Sequence, residues 1–163
     1  MLTRPGGEAL DPNLRLGGIV EFGTNSEANS MSADERMGLL EAIVSAGVPT
    51  DRMMPGTGAC SINEAAEVSA HATKLGVSGV LMLPPFYYKN PSEEGLFRFF
   101  AEVIEEVADD ALKVYLYHIP PVAQVGFPLS LIAKLRKEAR QAKAQAAQKL
   151  DDELARLKAK AGR

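Results

Sequence analysis

The sequence predicts an α/β fold with parallel strands, and three observations lead there. Four short apolar runs recur along the chain, each followed by a Gly- or Pro-rich turn. Segments of helical period with one polar face separate them. The resulting repeat is about 30 residues long, the size of one strand-loop-helix module.

The strands are expected at Gly18-Ile19-Val20-Glu21-Phe22, Arg52-Met53-Met54, Gly79-Val80-Leu81-Met82-Leu83 and Lys113-Val114-Tyr115-Leu116-Tyr117. Runs this short and apolar read as buried parallel strands. The intervening segments 33–46, 62–75 and 93–107 are too long, and too polar on one side, to be strands. Two of these helices open on the same capping signature, Ser32-Ala33-Asp34-Glu35 and Ser61-Ile62-Asn63-Glu64, in which Ser accepts from a free N–H and Glu reaches back. Gly47 and Gly76 stand where those helices should end. The right-handed crossover rule then makes successive strands parallel neighbours.

His118-Ile119-Pro120-Pro121 forces a break, and Pro128-Leu129-Ser130-Leu131 opens a last helical stretch. From Arg136 the composition turns to Ala, Lys, Gln, Arg and Glu, with no Gly or Pro before Gly162. This predicts one long helical tail. Its apolar stripe thins to Ala139, Ala142 and Ala146 and returns as Leu150, Leu154 and Leu157, enough for one docking stripe but short of sustained heptads. Three regions follow: a variable segment 1–16, a core 17–135 and a tail 136–163.

With 163 residues, 46% hydrophobic and 24% charged, the chain suits one soluble globular domain. The net charge of -3 is uneven, since 136–163 holds nine Lys/Arg against four Asp/Glu. Those charges are interspersed with Asp151, Asp152 and Glu153 and lack aromatic residues, so no nucleic-acid partner is expected. Cys60 is the only cysteine, which excludes an internal disulfide and a multi-cysteine metal site. The first sixteen residues have no apolar h-region, and no apolar run approaches the roughly 20 residues of a membrane span. A cytoplasmic protein with no membrane association is expected.

Four motifs carry a resemblance: Gly23-Thr24-Asn25-Ser26-Glu27, Gly56-Thr57-Gly58, the run from Leu83-Pro84-Pro85-Phe86-Tyr87-Tyr88-Lys89 through Glu94-Gly95-Leu96, and Tyr117-His118-Ile119-Pro120. In this order and spacing, over Leu16 to Leu135, the sequence resembles the dihydrodipicolinate synthase and N-acetylneuraminate lyase family. The resemblance implies a partial (half) TIM barrel of four βα units matching the second to fifth strands, to which the composition of the tail adds a long C-terminal helix available to cover the open face. A complete barrel takes about 250 residues.

That family forms an imine between a lysine on its sixth strand and the carbonyl of pyruvate or a related 2-oxo acid, without a cofactor or metal. Here the helical tail occupies the place of the sixth to eighth strands. Lys113 starts its strand, the wrong end for barrel chemistry, and Lys89 lies in a polar loop. The resemblance assigns Thr24 to the hydroxyl-bearing position after the second strand. Gly23, Thr24 and Asn25 become carboxylate binders, with Asn25 replacing the second hydroxyl residue of the family's usual pair. Read without the family, the same loop is either an anion-binding turn or a tight βα connection.

Tyr117 matches the proton-relaying tyrosine, and Tyr87 or Tyr88 matches the loop tyrosine that completes the relay, often across a subunit boundary. By periodicity alone Tyr115 and Tyr117 would be core, and the Phe-Tyr-Tyr cluster an interface. Val122 stands where dihydrodipicolinate synthases proper carry an arginine, which argues against aspartate semialdehyde as second substrate. His118 is expected to make one backbone hydrogen bond and His71 to be structural. Glu21 should face a polar barrel interior or pair with a buried partner.

Half a barrel leaves two open strand edges. Either the tail folds back, anchored by Leu150, Leu154 and Leu157, or two copies pair as a homodimer. The functional expectation is a truncated or engineered fragment of a Schiff-base lyase, inactive alone. The alternative is a structural or designed α/β protein with no activity.

Overall fold

The computed structural model describes residues 18–161. The variable segment 1–16 lies outside the described residues.

Helices α1 (Ala33–Ser45), α2 (Ile62–Lys74) and α3 (Glu93–Val107) fall where helical period and capping residues place them. Ser32 and Glu35 form the expected reciprocal capping box. The second box is only half made. Ser61 accepts from Glu64 N–H, but the Glu64 carboxylate turns instead to the buried guanidinium of Arg36 on α1. An ion pair between helices outcompetes a local cap because Arg36, once buried, must have a partner. Gly47 and Gly76 follow α1 and α2 with φ of 89° and 79°, the left-handed geometry that a side chain would strain.

Of the four expected strands, two form a regular ladder. Strands β1 (Val80–Met82) and β2 (Val114–Leu116) pair in parallel, Leu81 beside Tyr115. The other two shrink to isolated parallel bridges, Ile19 with Met53 and Gly56 with Leu81. Two local causes account for this: Thr50–Arg52 winds into a 3-10 turn that removes Arg52 from its expected strand, and Pro55 has no N–H to donate. Hydrogen bonding nonetheless runs across all four segments. Ile19 N–H donates to Arg52 O, Met54 N–H to Ile19 O and Gly56 N–H to Glu21 O. Leu81 N–H donates to Pro55 O, Thr57 N–H to Leu81 O and Tyr117 N–H to Met82 O. The spatial order is therefore the chain order, as successive right-handed βα units require.

The helices line up on one side of these strands, α2 against both α1 and α3, and α3 against the long C-terminal helix. Leu96, Phe99, Phe100 and Val103 recur at i, i+3, i+4 and i+7 on α3 and are buried. They meet Met53, Val80, Met82 and Leu40 in one core.

After the one-turn helix α4 (Pro120–Ala123), helix α5 runs unbroken from Leu129 to Ala161. Leu131 is buried and Lys134 lies over the Phe97 ring at 3.7 Å, fixing the start of α5 on α3. Every described side chain from Arg136 to Lys158 is exposed. The tail thus does not cover the open face of its own chain: Leu154 and Leu157 face solvent, and the Leu150 side chain lies outside the described residues. The cause is the helix itself, which has no Gly or Pro hinge to turn it back.

Glu21 is buried, with both carboxylate oxygens unpaired among the described residues. The expected buried partner is therefore missing among the described residues.

Candidate functional site

The segments 18–22, 52–58, 79–83 and 113–117 end together on one side of the molecule, and their loops enclose a cavity of about 330 Å³. Its floor is Phe22, Gly56, Leu81 and Leu83, and its polar wall is Thr24, Glu27, Asn29, Ser30 and Tyr117. In parallel α/β proteins this end, where strands run out into βα loops, carries the chemistry.

The loop after the first segment turns sharply. Phe22 holds φ of 55°, a costly conformation for a bulky residue, and Thr24–Ser26 forms a single 3-10 turn. The neighbouring backbone must come close to accept this turn. A Cβ on Gly56 would lie 2.1 Å from the Phe22 carbonyl oxygen, so only glycine fits there. Thr24 then stands at the cavity wall, its hydroxyl donating to Tyr117 Oη at 3.5 Å.

Behind the cavity, Thr57 of the Gly56-Thr57-Gly58 motif is fully buried and accepts from Ser69 Oγ of α2 at 2.8 Å. Thr73 Oγ1 donates in turn to Ser69 O. These hydroxyls tie strand to helix and do not line the cavity. A Ser and a Thr at i and i+4 on a helix commonly point to solvent, so nothing in the sequence marks these two as buried.

On the outer rim, the Lys89 ammonium donates to Phe86 O and, at 3.4 Å, to Ala123 O. Both acceptors belong to cavity-lining residues. Lys89 thereby joins the loop after β1 to α4, a role its place in a polar loop does not announce. His118 makes the single backbone contact expected of it, Nδ1 accepting from Phe127 N–H at 3.2 Å. His71 lies 3.3 Å from Glu41, between α2 and α1.

The structure brings Gly23, Thr24 and Tyr117 to one cavity. Asn25, exposed, is one residue beyond the lining, and Val122 lies at the rim. Tyr87 and Tyr88 stack edge to face with centroids 5.1 Å apart and are 72% and 81% exposed, outside the cavity. No lysine is among the lining residues. Among the described residues no group of three or more His, Cys, Asp or Glu side chains forms a metal site, and no helix is long and apolar enough to cross a membrane.

Comparison with known proteins places this geometry. The sequence profile of the dihydrodipicolinate synthetase family matches residues 13–159. An uncharacterised DapA-like lyase of Chloroflexus aurantiacus is 37% identical over 117 residues, 72% of this chain and 38% of that protein. The 4-hydroxy-tetrahydrodipicolinate synthase of Thermus thermophilus is 32% identical over 121 residues, 74% of this chain and 40% of that protein. Among solved structures, dihydrodipicolinate synthase from Agrobacterium tumefaciens superposes with a TM-score of 0.72 at 34% identity, covering 75% of this chain and 42% of that one. A sialic acid aldolase from Ruminococcus gnavus shares the fold, with a TM-score of 0.65 at 24% identity. The chain thus spans about 40% of the length of the relatives it matches. Its parallel βα units with in-order strands are those expected of part of a barrel, and the chain belongs to the dihydrodipicolinate synthetase family.

Proposed function

We propose that this chain carries the carboxylate-binding and proton-relay half of a Schiff-base lyase site, laid out on half a TIM barrel. Its ligand is a 2-oxo acid such as pyruvate. The observation that carries this reading is the meeting of Thr24 and Tyr117 in one cavity at the loop end of parallel strands.

In this reading the ligand carboxylate takes the N–H groups and hydroxyl of the Gly23-Thr24-Asn25 loop. The Tyr117 hydroxyl, able to donate and accept, passes a proton to or from the ligand's oxo carbon region. The Val122 rim is apolar and offers a second substrate no guanidinium. Tyr87 and Tyr88, exposed and outside the cavity of their own chain, serve a second copy's site or an interface. The open edges at 18–22 and 113–117 are where a homodimer would pair.

Inactivity of the chain by itself belongs to the same proposal. An imine-forming lysine must be partly desolvated so that its amine is neutral near pH 7, and the cavity wall offers none. Borohydride trapping with pyruvate, followed by intact mass and peptide mapping, tests this directly. No adduct together with a pyruvate-induced rise in melting temperature is the expected result. An adduct on one lysine would overturn the inactivity. Neither adduct nor thermal shift with any 2-oxo acid would favour the alternative, a structural or designed α/β protein without activity.

A further inference from the structure

The cavity that holds Thr24 and Tyr117 is bordered by a single charged residue, the anion Glu27, and by no Lys, Arg or His. The backbone fixes Glu27 there from both sides. It closes the 3-10 turn Thr24–Ser26 in left-handed geometry, φ 52° and ψ 37°, with its N–H donating to Thr24 O at 3.4 Å. It also opens the next turn, Ala28–Ser30, with its carbonyl accepting from Ser30 N–H at 2.8 Å. The loop that offers donors to a carboxylate therefore carries a carboxylate of its own, three residues on. Among the described residues, none of the ion pairs includes Glu27. Lys89, the cation at the outer rim, is not part of the lining, and its ammonium donates to Phe86 O and Ala123 O.

We propose that Glu27 makes this a site for 2-oxo acids with an uncharged far end and turns away those that carry a second carboxylate. The inference rests on the 2-oxo acid reading above and states which members of that class the cavity takes. With the first carboxylate on the Gly23-Thr24-Asn25 loop, the far end of the ligand stays in the same cavity. A second negative charge there meets Glu27, and no lining cation offsets the repulsion. Like charges roughly 7 Å apart in an open, hydrated site cost about fivefold in affinity. The first carboxylate is compensated because loop N–H groups take it directly. Asn29 and Ser30, the other polar residues of this wall, are neutral and cannot stand in for a cation. Glu27 thus acts on selectivity and takes no part in proton transfer.

Isothermal titration calorimetry on the full chain with pyruvate, 2-oxopentanoate and 2-oxoglutarate tests the proposal. The last two share a five-carbon chain and differ in the charge at its far end. 2-Oxopentanoate is expected to bind at least about fivefold more tightly than 2-oxoglutarate, and E27Q should shrink that ratio about fivefold. Rising salt should shrink it in the wild-type chain as well, since exposed charges are screened. K89M should leave the ratio in place. A ratio indifferent to both E27Q and salt would overturn the role of Glu27, while binding of pyruvate would keep the 2-oxo acid reading. Tighter binding of 2-oxoglutarate, lost in K89M, would also overturn it and assign the far carboxylate to Lys89. Binding of none of the three acids would overturn the 2-oxo acid reading and this inference with it.

Discussion

The hydroxyls of Thr24 and Tyr117 lie 3.5 Å apart although the residues are 93 positions apart in sequence. They follow the first and the fourth of four adjacent parallel segments. In a flat sheet those segments would stand roughly 14 Å apart, at about 4.8 Å per strand. The contact therefore needs a sheet that curls toward the cavity as well as the reach of a tyrosine, and an arc of a barrel supplies that curl. The approach of Tyr117 to Thr24 is a consequence of curvature, whereas Glu27, Asn29 and Ser30 reach the cavity from the same loop as Thr24.

If these two hydroxyls orient a bound 2-oxo acid, removing either one should weaken binding without unfolding the chain. Tyr117→Phe and Thr24→Val are each expected to cost about 1 kcal/mol of binding, read as a reduced pyruvate-induced rise in melting temperature. Thermal shifts equal to wild type in both variants would separate this pair from ligand binding.

The buried pair Thr57 and Ser69 calls for a double-mutant cycle. Ser69→Ala alone strands the Thr57 hydroxyl in an apolar core and should destabilise by about 1–3 kcal/mol. Thr57→Val with Ser69→Ala removes both polar groups and should cost less than the sum of the single changes. Additive losses in urea denaturation would show that the hydroxyls act independently.

Much of this architecture is legible in the sequence because helix signals are local. Ser32, Ser61 and Ser92 each cap a helix start, and the apolar spacing on α3 states which face is buried. Strand extent is less legible. Whether Arg52 turns or extends depends on Ser78 N–H and Gly76 arriving from a later loop at Thr50. The cavity residues Thr24 and Tyr117 come from their place in family motifs, since periodicity alone puts Tyr117 in the core. Lys89, Ser69 and the unpaired Glu21 escaped because their roles depend on what lies across space. Nothing in one strand says whether the Glu21 carboxylate will find a partner.

Lys89 should behave as a clasp between two loops. Lys89→Met removes the donor shared by Phe86 O and Ala123 O while keeping the aliphatic stem. Faster amide hydrogen exchange is expected both in 84–92 and in 119–126, with α1 and α2 unchanged. Faster exchange in the first segment alone would mean that the link to Ala123 does not hold the loops together.

Glu21 gives the fold a pH dependence of defined sign. Burial raises its carboxyl above the ordinary value near 4.5, and the backbone N–H groups of Glu21 and Met54 relieve this only in part. Neither reaches the side-chain oxygens in hydrogen-bond geometry. Below pH 4.5 the group is protonated in the folded and the unfolded chain alike and contributes no difference. As pH rises past that value the unfolded chain releases its proton while the folded chain keeps its own, so stability falls until the raised folded value is passed. Above it the folded chain carries a buried, unpaired charge and the loss is complete. Glu21→Gln keeps the shape and removes the charge. Its melting temperature should therefore gain on wild type progressively above pH 4.5 and then hold a constant lead. Parallel melting curves from pH 4 to pH 8 would show that Glu21 is solvated in the folded chain and that its burial has no electrostatic cost.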